Sequence, residues 1–82
     1  MLKEQKIRQN PTLGSNISKI RNDRDLTQEQ LAARLQLYGS GISRSILSQI
    51  ECGTYNVRAA DLVIMSKVLK VEIAAFFEGL EP

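Results

Sequence analysis

The sequence predicts a small all-α domain of five helices. Apolar residues recur at spacings of three and four along most of the chain, two segments carry complete helix-start signals, and no stretch alternates polar and apolar residues as a strand would. The 82 residues, 43% of them apolar and 24% charged, suffice for one compact core but not for a reader domain plus a separate sensing domain.

The elements follow in order. Residues 1–9, MLKEQKIRQ, are polar and basic and read as a flexible arm preceding a domain over 10–82. Asn10-Pro11 is a helix start, with asparagine as cap and proline at the first helical position, where its missing N–H costs nothing. Leu13, Ile17 and Ile20 then form one inward stripe of a helix ending near Asp25, with Arg21 at its margin. In Leu26-Thr27-Gln28-Glu29-Gln30-Leu31, Thr27 and Gln30 make a capping box and Leu26 and Leu31 the hydrophobic staple around it. This second helix carries Leu31, Ala32 and Leu35 inward and stops before Gly39-Ser40-Gly41. Ser43 caps a third helix over 43–51, stapled by Ile42 and Leu47 and closed at Gly53. After a loop from Thr54 to Arg58, a fourth helix spans Ala59 to Leu69, with one stripe of Leu62, Met65 and Leu69 and a second of Ile64 and Val68. A short fifth helix runs from Glu72 to about Glu78.

Composition narrows the function. With no histidine, the commonest general base and transition-metal ligand are both missing, so an enzyme is the least supported class and no cofactor or metal is expected. A single cysteine makes no internal disulfide, and no run approaches a membrane span, so a cytoplasmic, reducing setting is expected. The net charge is only +2, but it is unevenly spread. Residues 1–44 hold eight basic and four acidic side chains, whereas residues 45–82 hold three and five. A positive face for phosphate and an opposite end for protein contact are the reading this division suggests.

Two short capped helices joined by a glycine-containing turn present the second of them to the DNA major groove. The segments LGSNISKIRNDRDLTQEQLAARL, ISRSILSQIECG and AADLVIMSKVLKVEIAAFF together resemble the Cro/phage-repressor (XRE) helix-turn-helix family over residues 12–77. The resemblance implies a lambda-repressor-like fold with helix 43–51 as recognition helix, and Ser43, Arg44, Ser45 and Gln49 at positions that reach bases or phosphates. Arg44 suits guanine O6 and N7, Gln49 suits adenine N6 and N7, and Ile46 either touches a thymine methyl or packs in the core. Phosphate contacts are expected first from Gln28 and Ser43 at helix starts, then from Lys19, Arg24, Thr54, Asn56 and Arg58. The arm residues Lys3, Lys6 and Arg8 either reach a groove or stay unstructured. Arg21 and Glu51 hold positions that form a partly buried ion pair in several members of the family.

The chain departs from the family pattern in two places. Between Leu35 and Ser43 it has seven residues, QLYGSGI, five more than the usual two, which are expected to lengthen the second helix and loosen or lengthen the turn. Asp25 stands where glycine is common, a modest cost because aspartate tolerates left-handed backbone. Cys52 is expected to be a half-buried, inert thiol, with no histidine to activate it.

The resemblance implies a homodimer on double-stranded DNA, with no small-molecule ligand and no membrane. Ile64, Val68, Ala74, Phe77 and Leu80 are the expected interface, as more apolar surface than one core needs. The function expected is a sequence-specific transcriptional regulator, a repressor on a palindromic operator. The alternative is a protein-interaction module, such as an antitoxin subunit that neutralises a partner protein.

Overall fold

The computed structural model describes residues 10–80. It holds four α-helices: α1 (Pro11–Asp23), α2 (Gln28–Leu37), α3 (Arg44–Glu51) and α4 (Ala59–Leu69). The fifth element differs from expectation, because Ile73–Phe77 is a 3-10 segment and not an α-helix. Five residues are too few to repay α-helix nucleation, and the tighter i→i+3 pattern, with the Ala75 N–H donating to the Glu72 carbonyl at 2.9 Å, suffices to drive Phe76 into the core. The expected arm, residues 1–9, lies outside the described residues. No helix among those described is long and apolar enough to cross a membrane.

The helix starts are those read from the sequence. Asn10 Oδ1 accepts from the Thr12 and Leu13 N–H groups at 2.8 and 3.2 Å. Thr27 and Gln30 close their capping box at 3.0 and 2.9 Å, and Ser43 Oγ accepts from the Ile46 N–H at 3.2 Å. Both staples are buried, Leu26 with Leu31 and Ile42 with Leu47.

All four α-helices end in the same Schellman arrangement, with a left-handed residue and paired 5→2 and 6→1 bonds. The left-handed positions are Asp25, Gly39, Gly53 and Lys70, so two of the four are filled by residues with a Cβ, at φ 57° and 58°. Asp25 was anticipated. Lys70 was not, because lysine gives no composition signal for left-handed backbone.

One core runs through every element. Ile17 of α1, Leu31 and Leu35 of α2, Leu47 of α3, Met65 and Leu69 of α4, and Phe76 are fully buried. Helix α1 packs on α3 and on the 3-10 segment, while α2 packs on α3 and α4. Two glycines set how closely α1 and α3 approach. A Cβ on Gly14 would press on the Ile50 carbonyl oxygen and lie 2.6 Å from that of Glu51, and one on Gly53 would lie 2.8 Å from Pro11 Cα. Backbone meets backbone at both points, so neither contact has a side chain that could yield.

Two opposite substitutions follow. Gly14→Ala ought to raise helix propensity by about 1 kcal/mol, yet here it should lower unfolding free energy by about 2–3 kcal/mol because α3 must be displaced. Lys70→Gly should raise stability by about 1 kcal/mol through relief of the left-handed cost. Urea unfolding of both variants checks the pair, and a stable Gly14→Ala protein would contradict the close approach.

Candidate nucleic-acid interface

The third helix divides cleanly between core and solvent. At 100° per residue, Arg44, Ser48, Ser45 and Gln49 occupy one arc, while Ile46, Leu47 and Ile50 occupy the other. The structure agrees. Leu47 and Ile50 are buried, and Arg44, Ser45 and Gln49 are exposed, with Ser48 half-buried between them. Arg44 makes no hydrogen bond or ion pair among the described residues. Ile46, for which two roles were open, is half-buried and packs against the core. At 1.5 Å per residue the helix is about 12 Å long, and Arg44, Ser45 and Gln49 of this arc are open to solvent.

What holds the helix is a carboxylate. Glu51, at its last turn, accepts from Arg21 Nε on Oε2 at 2.8 Å and from the same guanidinium's terminal nitrogen on Oε1 at 2.9 Å. The pair is bidentate and shielded, with side-chain exposures of 11% and 6%. A third donor completes it, as Gln28 Nε2 of α2 donates to Glu51 Oε1 at 3.0 Å. The remaining terminal nitrogen of Arg21 donates to the Leu26 carbonyl at 2.7 Å and to Asn22 Oδ1 at 3.3 Å. One ion pair therefore joins α1, α2, α3 and the turn between the first two. Hydrogen bonding to Glu51 holds the Arg21 guanidinium above its ordinary range, outweighing the opposite push of burial, with the Glu51 charge adding to the rise. A base with a raised folded value contributes stability that is complete below its unfolded value, so Arg21's share is lost only in strong alkali.

The residues expected at phosphate fall into two groups. Gln28 and Ser43 sit at the starts of α2 and α3, where unpaired backbone N–H groups and the helix dipole favour an anion. The Gln28 amide is drawn to Glu51, which leaves its backbone N–H as the donor at that helix start. Ser43 Oγ accepts the cap bond and keeps its own proton to donate. Thr54, exposed, donates its hydroxyl to the Gln49 carbonyl at 3.2 Å, and Asn56, also exposed, follows in the same loop. Arg58, half-buried, directs Nε to Asp61 Oδ2 at 3.1 Å.

Lys19 and Arg24 are placed elsewhere. Lys19 lines a groove of about 400 Å³ with Asn16, Ile20 and Asp23 of α1 and Val71, Ala75, Glu78 and Gly79 from the C-terminal segment. That side of α1 is opposite the one carrying Arg21. Arg24 Nε donates to the Leu69 carbonyl at 2.8 Å, and a terminal nitrogen reaches that of Lys70 at 3.4 Å, satisfying the C-terminal end of α4. The charge count could not separate these cations from those near α3, because their direction depends on helical phase.

The residues expected at a protein contact differ in exposure. Ile64, Val68, Phe77 and Leu80 are half-buried against the core, and of the five expected residues only Ala74 is exposed. Val63 and Ile73, at 43% and 39% exposure, are the exposed large apolar residues on α4 and the 3-10 segment. Helix α4 is apolar around most of its circumference, so periodicity alone left its outward stripe undetermined. Cys52 is exposed at the cap of α3, contrary to the half-buried expectation. Sequence reasoning also missed Leu37 and Tyr38, 84% and 64% exposed at the end of α2.

Breaking the central pair from one side should cost far more than removing it whole. Arg21→Met and Glu51→Leu should each lose about 3 kcal/mol by stranding a shielded charge, and the double variant should recover most of that loss. Thermal and urea unfolding of the three variants give the cycle; additive losses would mean that the pair is not shielded in solution.

Comparison with known proteins bears on what such an arrangement belongs to. A family model described as Helix-turn-helix matches residues 17–76. Curated proteins provide no significant match. Four chains of known structure match, among them the restriction-modification controller protein C.AhdI from Aeromonas hydrophila, which is 26% identical with a TM-score of 0.71 over 80% of this chain and 92% of that one. With an exposed polar helix held at its end by a shielded ion pair, capped as the motif requires, and with most of its length matched, the chain belongs to the Cro/C1-type (XRE) helix-turn-helix family of DNA-binding domains.

Proposed function

We propose that this DNA-binding domain is a sequence-specific transcription regulator, and within that class a repressor that sits on a palindromic operator as a two-fold dimer. The observation that carries the reading is the outward arc of α3. Arg44, Ser45 and Gln49 are exposed, Arg44 has no partner among the described residues, and the helix beneath them is fixed by Glu51. A preorganised row of polar side chains suits base edges, which demand donors and acceptors at set positions. Arg44 is suited to guanine and Gln49 to adenine, while Ser45 can donate or accept. The helix starts at Gln28 and Ser43, and the loop residues Thr54, Asn56 and Arg58, supply the phosphate contacts that hold register. The likeness to a restriction-modification controller favours a regulatory role over other uses of the fold.

A dimer supports specificity because one eight-residue helix reads few base pairs, whereas two copies one DNA turn apart read twice as many. Ala74, with Val63 and Ile73, forms the most open apolar part of the proposed contact, and Ile64, Val68, Phe77 and Leu80 support it from the core side.

Gel shifts with genomic fragments under graded salt test the proposal. A saturable preferred fragment should appear, and the slope of log affinity against log salt should be about −0.9Z, with Z of about 6–10 phosphates per dimer. Arg44→Ala should cost about 1–3 kcal/mol on the preferred site and relax selectivity at one base pair per half-site. Ala74→Asp should shift sedimentation toward the monomer and weaken operator binding together. A chain that shifts no fragment in preference to random DNA would instead be acting through protein contact alone.

A further inference from the structure

Among the described residues, the two buried polar side chains are Ser40 and Asp61, and they are bonded to each other. Ser40 Oγ donates to Asp61 Oδ1 at 2.9 Å across 21 positions of sequence. Ser40 belongs to the lengthened turn between α2 and α3, and Asp61 to the first turn of α4. A carboxylate withdrawn from water needs partners on both oxygens, and Asp61 has them, since Oδ2 accepts from Arg58 Nε at 3.1 Å. On the other side of Ser40, the Ile42 N–H donates to Oγ at 3.2 Å, and Gln36 Nε2 donates to the Ile42 carbonyl at 3.2 Å. A continuous set of bonds thus runs from the residue before the α3 cap, through Ser40 and Asp61, to Arg58.

The exposures along it are graded. The Asp61 side chain is 7% exposed and that of Arg58 43%, so the anchor is inside and the guanidinium reaches outward. Because a guanidinium is a rigid planar fork, a carboxylate on its Nε edge sets the orientation of the whole group. Holding a turn against α4 does not by itself require a buried acid, since apolar residues of similar volume would do so at no desolvation cost.

We propose that Ser40 is a positioning residue for DNA binding. The extra residues of the turn form a brace that orients Arg58 toward the DNA backbone and ties its position to the start of the recognition helix. This inference rests on the reading above that Arg58 meets phosphate, and the test separates the two.

Fluorescence-anisotropy titration of the full chain with a random-sequence DNA duplex, across a salt series, provides the readout. Phosphate contacts are sequence-independent, so no operator need be known. Arg58→Ala should make the salt slope shallower by about 0.9 per subunit bound. Ser40→Ala should weaken binding about five- to tenfold and make the slope shallower in the same direction. In the Arg58→Ala background the Ser40 substitution should have no further effect on either quantity. A purely structural Ser40 would lower the melting temperature while leaving the slope at its wild-type value, or would weaken binding equally in both backgrounds, and either result overturns the brace. An unchanged slope in Arg58→Ala alone would locate the failure in the phosphate reading, and the brace would fall with it. Absence of duplex binding by the wild-type chain would overturn DNA recognition itself. Should Ser40→Ala not fold, Ser40→Cys, with a weaker donor of similar shape, should move affinity and slope the same way to a smaller extent.

Discussion

The architecture depends on the carboxylate of Glu51. A shielded negative charge must be matched by donors, and the three that match it come from the guanidinium of α1 and the amide of α2. Because the bidentate geometry tolerates little rotation, the last turn of α3 is held in both distance and angle relative to its two neighbours. The direct contact of backbones at Gly14 and Gly53 gives the same constraint from the apolar side. Together they leave the outer arc of α3 as the part of the helix that nothing else uses. Orientation, more than net stability, is what such a pair supplies, since well-packed apolar residues could hold the helices equally well.

The opposite end of α3 is held by different means. Five residues beyond the family pattern would be expected to loosen the step from α2 to α3, and the chain counters this locally. Helix α2 is stopped by a Schellman turn at Gly39, Gln36 reaches forward to the Ile42 carbonyl, and Ser40 is drawn inward to Asp61. The turn is longer but attached at each end and in the middle. Just before it, the end of α2 carries Leu37 and Tyr38 into solvent, and these are the most open large apolar residues among those described.

Much of this was readable in advance, and for identifiable reasons. Caps and staples are interactions within six residues, so Asn10-Pro11, Leu26–Leu31 and Ile42–Leu47 located three helix starts directly. The amphipathic phase of α3 was clear because Leu47 and Ile50 contrast with Arg44, Ser45 and Gln49. Helix α4 offered no such contrast, and the sequence did not single out Val63, which is more exposed than Ile64 and Val68. Arg24 and Lys19 looked equivalent to Arg58 as cations near the motif, yet the first satisfies the carbonyls ending α4 and the second borders a groove on the opposite side of α1. The left-handed Lys70 and the Ser40–Asp61 bond left no local trace at all.

Sequence alone determined where the four α-helices start and, to within about two residues, where they stop, which face of α3 is polar, and that Arg21 and Glu51 belong together through the family pattern. These are consequences of short-range chemistry and of repeating positions. Tertiary structure decided which donors complete Glu51, that Arg24 binds the end of α4 and Lys19 borders a groove, which apolar residues remain in water, and how the long turn is anchored. Each of these depends on two segments distant in sequence meeting at a defined angle, and that angle is set by packing of the whole core, which no window of sequence contains.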